Sequence, residues 1–266
     1  MDAYLANYES YTKCIVYDFK LGNGGIGDCC KFFMYLLCMC VTNKYRICYL
    51  VNGIVIENYM VLKHAKFYIK YDELPKDFTI ATNIQQILDS ECTLITPSVL
   101  YNVYNYDAIT IKLSDVFEFS DTIHANYGRL FPHNITSYVS IHLRLGDKYL
   151  ETDKAFVVVK DDERYYDEGS MFRFIEKNTH LNIVFFCDNN SYKQYLKYKY
   201  PSIVIIGANV GHTSLYNTTE DQIIDAITEF YIMCKSSHIY SASSFSGFSI
   251  MAAKYNNTPI TNICGK

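Results

Sequence analysis

No two aspartates in the 266-residue chain are separated by one residue, and neither H-E-x-x-H nor a paired C-x-x-C occurs. The acidic clamp and the His/Cys spacings that hold divalent metals are missing, and no metal is expected. A G-x-S-x-G elbow is also absent, because Ser246-Gly247 lacks the upstream glycine, which argues against a serine hydrolase. Basic charge is not in excess: 24 Lys and Arg stand against 28 Asp and Glu, a net charge of -4. That argues against a protein whose main task is to coat nucleic-acid phosphates, but not against a local anion pocket. The most apolar stretch, 32–41, is well short of the ~18–20 residues needed to cross a bilayer, so no membrane span is expected. No export signal opens the chain, and a cytoplasmic setting, as for a soluble enzyme of a bacterium or a large DNA virus, is expected. The N-x-Ser/Thr matches at Asn134, Asn189, Asn217 and Asn256 then read as chance.

What is present is a globular composition, 50% hydrophobic, 16% aromatic and 20% charged, in which apolar burial can offset chain entropy. The ten cysteines sit in apolar segments of a full-sized chain and read as reduced core thiols rather than a disulfide framework. The length suits two small domains. A strand is predicted over 14–19, followed by the glycine cluster 22–27, a helix over 28–42 and a strand over 46–51. Further short runs at 66–69, 93–96 and 109–112 have strand character, although their order is not legible. After a polar patch at 132–137 the pattern becomes clearer: strands at 138–143, 182–187, 203–206, 238–242 and 259–263 alternate with helices at 166–177, 192–198, 221–235 and 247–254. Thr218 and Asp221 have capping-box spacing before the third of these helices, whose apolar face carries Ile223, Ile227 and Phe230. Alternation of this kind makes a parallel sheet covered by helices, an α/β fold, with domains expected at 1–131 and 132–266.

Open parallel sheets bind ligands beyond the carboxyl ends of their strands. The residues there are Arg144-Leu145-Gly146-Asp147 after one strand, Asp188 after the next, and Ser243-Ser244-Phe245 after a third. An arginine fork, serine hydroxyls and a helix N-terminus on one rim suit a nucleoside diphosphate. Each element also has a plainer reading. Arg144 and Asp147 can form a loop ion pair, Asp188 can cap a helix, the serines can start one, and His142 can be a core histidine held by a backbone hydrogen bond. Gly22, Gly24 and Gly27 fit G-x-G-x-x-G, yet the second strand lacks the acidic residue an NAD ribose requires, and Glu57 comes too late. The Lys/Tyr run 192–200 is read as a solvated helix rather than a nucleic-acid platform.

The segment Ser140-Ile-His-Leu-Arg-Leu-Gly-Asp147 resembles the H-x-R-x-G-D motif of the inverting α1,2-, α1,6- and protein O-fucosyltransferases. Phe185-Phe-Cys-Asp188, Glu229-Phe-Tyr-Ile-Met233 and Ser243-Ser-Phe-Ser246 resemble their F-x-S-D, D-L-x-L-M and S-S-F-S blocks. Gly24-Gly25-Ile26-Gly27 resembles their opening G-G-x-G-N. The resemblance implies a GT-B arrangement of two Rossmann-like domains facing a cleft, acceptor side first and nucleotide-sugar side second, with a GDP-fucose donor, a glycan acceptor and no metal. It implies that Arg144 binds the β-phosphate and that His142, Asp147, Asp188, Ser243, Ser244 and Phe245, with Gly24, Gly25 and Gly27, line the donor pocket. Three positions depart from the pattern. Asp28 replaces an asparagine, which makes it a candidate acceptor-binding carboxylate or general base. Leu145 replaces a common second arginine, and Gly247-Phe248 replaces paired tryptophans in a chain that has none. Another nucleotide-sugar donor, or a non-catalytic nucleotide- or sugar-binding protein, are the alternatives.

Overall fold

The structure, a computed structural model, describes residues 1–81, 83–95, 106–206, 209–244 and 246–264. In chain order the strands are β1 Cys14–Tyr17, β2 Arg46–Leu50, β3 Met60–Leu62, β4 Tyr68–Ile69, β5 Thr79–Ile80, β6 Cys92–Ile95, β7 Phe117–Phe119, β8 Val139–Leu143, β9 Ile183–Cys187, β10 Val204–Ile205, β11 Ile239–Ser241 and β12 Ile260–Asn262. The helices are α1 Asp2–Asn7, α2 Ile26–Asn43, α3 Ile84–Asp89, α4 Asp121–Leu130, α5 Glu168–Lys177, α6 Asn190–Lys199, α7 Glu220–Cys234 and α8 Gly247–Asn256. Two parallel five-stranded sheets result, ordered β4-β2-β1-β6-β5 and β10-β9-β8-β11-β12. In the second, the chain runs outward from β8 through β9 and β10, then returns to β11 and β12. Its topological switch point is thus between β8 and β11.

The pleat of β8 sorts its residues. Val139, Ile141 and Leu143 face Met171 and Ile175 of α5 and Leu196 of α6, while Ser140 and His142 point to the opposite face. On that opposite side, Val184 and Phe186 of β9 join a core that also holds Ile15 and Tyr17 of β1, Phe32 and Phe33 of α2, and Phe230 of α7. Helices α2, α7 and α8 therefore lie in a shared apolar layer between the sheets, with α2 against α8 and α8 against α7. Full burial of each such aromatic is worth roughly 1.5–3 kcal/mol.

Helix α2 is longer than its most apolar ten residues suggest. It spans 18 residues, long and apolar enough by composition to cross a bilayer, yet most of it is buried between the sheets. Glycine starts it: Gly22 and Gly24 have φ of 90° and 122°, values that strain any side chain. Lys44 ends it in the left-handed region, with its N–H donated to the Cys40 carbonyl.

Every strand and helix expected after residue 138 is present, with ends shifted by a few residues at most. The capping box before α7 is Thr219 with Gln222 rather than Thr218 with Asp221; the Thr218 hydroxyl donates instead to the His212 carbonyl. The segment 109–112 is not a strand. It pairs with no sheet, and the Ile109 carbonyl accepts from Lys254 Nζ. Strand character at 66–69 is confined to its last two residues, and Thr96 of the run at 93–96 lies outside the described residues. The antiparallel pair β3–β7 was not anticipated. All ten cysteines are free and buried, as expected.

Candidate functional site

A cavity of about 470 Å³ opens where the carboxyl ends of β1, β8, β9 and β11 converge. On the side of the second sheet it is walled by His142, Arg144 and Asp188; on the side of the first, by Gly25, Gly27, Asp28 and Lys31. Its floor is a contact between two helix N-termini. A Cβ on Gly27 would lie 2.5 Å from the Phe248 nitrogen and 2.6 Å from the Gly247 carbonyl carbon, so only glycine lets α2 and α8 meet there.

Arg144 is held by two carboxylates. Its Nη1 donates to Asp188 Oδ2 at 2.5 Å and its Nη2 to Asp147 Oδ1. Asp188 also fastens the loop, because its Oδ1 accepts the Leu145 N–H at 2.8 Å and its Oδ2 the Gly146 N–H at 3.0 Å. The Arg144 N–H goes to the Ser243 hydroxyl at 3.0 Å, tying the β8 exit to the β11 exit across the switch point. The loop ion pair is thus real, but it belongs to a larger network, and Asp188 does not cap α6. Asn189 does, accepting the Tyr192 N–H.

Asp147 and Ser243 stand behind the cavity wall as supports for Arg144. Gly24 and Ser244 are outside the lining: the Gly24 N–H is donated to the Ser214 hydroxyl, and the Ser244 N–H to the Tyr165 carbonyl. Phe245 lies outside the described residues. The glycine turn is clamped by the second half of the chain, since the Ser214 hydroxyl accepts from Gly22 and Gly24 and the Thr213 hydroxyl from Ile26. At the end of β2 the Glu57 carboxylate takes the Asn52 and Gly53 N–H groups, so it serves its own loop.

Asp28 sits in the first turn of α2, and its Oδ1 accepts from Lys31 Nζ at 2.8 Å. His142 stacks on Phe248, with ring centroids 5.4 Å apart, and its buried Nδ1 has no partner among the described residues. The backbone hydrogen bond of a core histidine is missing at that nitrogen. Burial pushes the imidazole down from 6.5 to about 4, against the pull of Asp188 and with the push of Arg144, so it is neutral at pH 7. The unfolded chain therefore takes up a proton first, and stability present at neutral pH is lost as pH falls from about 6.5 toward 4. Between pH 7 and pH 5 the loss is about 2 kcal/mol. Thermal denaturation at these two pH values should show wild type losing more stability than His142→Gln by that amount; equal losses would refute it.

The residues at the far end of the cavity were not among the expected site residues, although Glu229 heads the block that resembles D-L-x-L-M. There Glu229 of α7 and Lys193 of α6 form a buried ion pair, Nζ to Oε1 at 2.9 Å, beside Phe186, Val210 and Ala226. Burial raises the Glu229 carboxyl above its ordinary value, opposed by Lys193. Lys193 read as one of several solvated lysines, and only the fold brings it to Glu229. Arg164, also unremarked in the sequence, lines the cavity from the loop between Phe156 and α5.

No family model matches the sequence, and no curated protein matches it. The fold, however, is that of the GT-B fucosyltransferase structures. The chain is similar to the NodZ α-1,6-fucosyltransferase soaked with GDP-fucose, with TM-score 0.58 and 10% identity over 91% of this chain and 92% of that one. It is similar also to POFUT1 in complex with GDP-fucose, with TM-score 0.53 and 10% identity over 95% and 98% of the two chains. A mutant of Arabidopsis thaliana FUT1 in complex with GDP matches with TM-score 0.53 and 8% identity over 98% of this chain and 74% of that one.

Proposed function

We propose that the chain is a glycosyltransferase that moves fucose from GDP-fucose to a hydroxyl of a glycan acceptor, with inversion and without a metal. The observation that carries this reading is the Arg144–Asp188–Asp147 network at the switch point of the second sheet, facing Asp28 across the cavity. At such a point a guanidinium neutralises a departing diphosphate. Glu229 supports a guanine at the other end, because Oε1 is taken by Lys193 while the second oxygen has no partner among the described residues. Oε1 keeps a second lone pair beside Lys193, so both oxygens of this carboxylate can accept, which suits the adjacent N–H donors of guanine, whereas uracil offers one.

In this reading residues 132–266 bind the donor and residues 1–131 form the acceptor side. The acceptor hydroxyl attacks the anomeric carbon as GDP leaves, and its proton passes to Asp28, which Lys31 holds in place. The likeness to GDP- and GDP-fucose-bound structures supports the donor. The test is thermal stability with GDP, GDP-fucose, GDP-mannose, UDP-sugars and NAD, each with and without EDTA. A ligand at 100 times its Kd adds ~2.7 kcal/mol, a rise of roughly 5–10 °C for a chain of this size. GDP and GDP-fucose should give it regardless of EDTA; a rise with UDP-sugars or NAD alone would overturn the reading.

A further inference from the structure

Three cations line the cavity among the described residues, Lys31, Arg144 and Arg164, and they differ in what they have left to give. Lys31 is bound to Asp28. Arg144 has both terminal nitrogens on carboxylates, and with Asp147 and Asp188 it forms a group of net negative charge. A multiply charged diphosphate cannot settle on that group alone. Arg164 is different: its side-chain contacts run from Nε to Asp162, at 3.1 Å to Oδ1 and 3.3 Å to Oδ2, leaving Nη1 and Nη2 without a partner among the described residues.

Its backbone is fixed against the loop that carries Arg144. The Arg164 N–H donates to the Leu145 carbonyl at 2.9 Å, the Lys148 N–H to the Asp162 carbonyl at 3.0 Å, and the Asp147 N–H to Asp162 Oδ2 at 3.3 Å. Gly146 makes this approach possible, since a Cβ there would lie 2.4 Å from the Asp162 carbonyl oxygen. Two residues on, Tyr166 bridges to Ser243 and the Tyr165 carbonyl accepts from Ser244. Segment 162–166 is therefore wedged between the β8 and β11 exits.

We infer that Arg164 receives the terminal phosphate of the bound nucleotide beside Arg144, through two terminal nitrogens that no carboxylate among the described residues engages. This rests on the reading of the cavity as a nucleoside-diphosphate site. Arg164 then sets ground-state affinity and the preference for a diphosphate, while Arg144 acts on the charge that develops as the sugar departs.

The test is titration calorimetry of GDP and GMP against wild type, Arg164→Ala, Arg164→Gln and Arg164→Lys, with the melting temperature of each variant. Wild type should bind GDP at least about tenfold more tightly than GMP, and both Ala and Gln should weaken GDP by about tenfold to a hundredfold while changing GMP by less than about threefold. Lys should recover part of the loss. A merely structural arginine would move both nucleotides together. Arg164 variants that keep the wild-type GDP/GMP ratio overturn the inference and leave the site reading intact; a wild type that binds neither nucleotide overturns both.

Discussion

Arg144→Ala is expected to lower transfer by about a hundred- to a thousandfold while the fold survives. The first half of that expectation follows from the proposed chemistry: removing one preorganised charged donor from a water-poor site costs about that much in rate. The second half follows from Asp188. Without Arg144, each Asp188 oxygen still accepts a backbone N–H, from Leu145 and from Gly146, so the carboxylate is not orphaned and the loop keeps its fastening. A melting temperature within a few degrees of wild type together with lost transfer supports the role. Collapse of the fold would mean that the ion pairs are structural, and unchanged transfer would remove Arg144 from the mechanism. Donor turnover to GDP and free sugar provides a readout that does not require the acceptor.

Lys193→Met should produce the largest loss of stability, about 3–5 kcal/mol, because it leaves Glu229 buried without its counter-charge. The raised Glu229 carboxyl softens the loss, since a protonated acid is cheaper to bury. The double variant Lys193→Met with Glu229→Leu should recover most of it, as an apolar pair replaces an ion pair at little net cost. Urea denaturation of both single variants and the double gives the coupling directly. A Lys193→Met loss below about 1 kcal/mol would mean that water reaches the pair.

The second sheet was legible because its strands and helices are regular and consecutive. Val139 to Leu143 is flanked by polar turns, and Ile223, Ile227 and Phe230 recur at helical spacing. The rim was legible by the same logic, since the residue after a parallel strand is where a ligand meets the sheet, and Arg144, Asp188 and Ser243 occupy such places. The first half resisted because its elements are short. The three-residue strands β3 and β7 pair across more than fifty residues, and 109–112 has a strand's composition without a strand's partner. Lys193 and Arg164 carried no local signal. One looks solvated among tyrosines, the other sits in a loop, and both acquire meaning only from neighbours supplied by tertiary packing.

The fastening of the 144–147 loop also fixes when the site can form. Its supports come later in the chain: Asp162, then Asp188 44 residues beyond Arg144, and Ser243 99 residues beyond it. A chain emerging in order therefore completes β8 and its loop long before anything can hold them, and the cavity is among the last things to assemble. Contacts of such sequence separation are slow to close. Until β11 has paired with β8, the arginine on which the proposed chemistry depends lacks its tie to Ser243, and any catalytic competence is confined to the fully folded molecule.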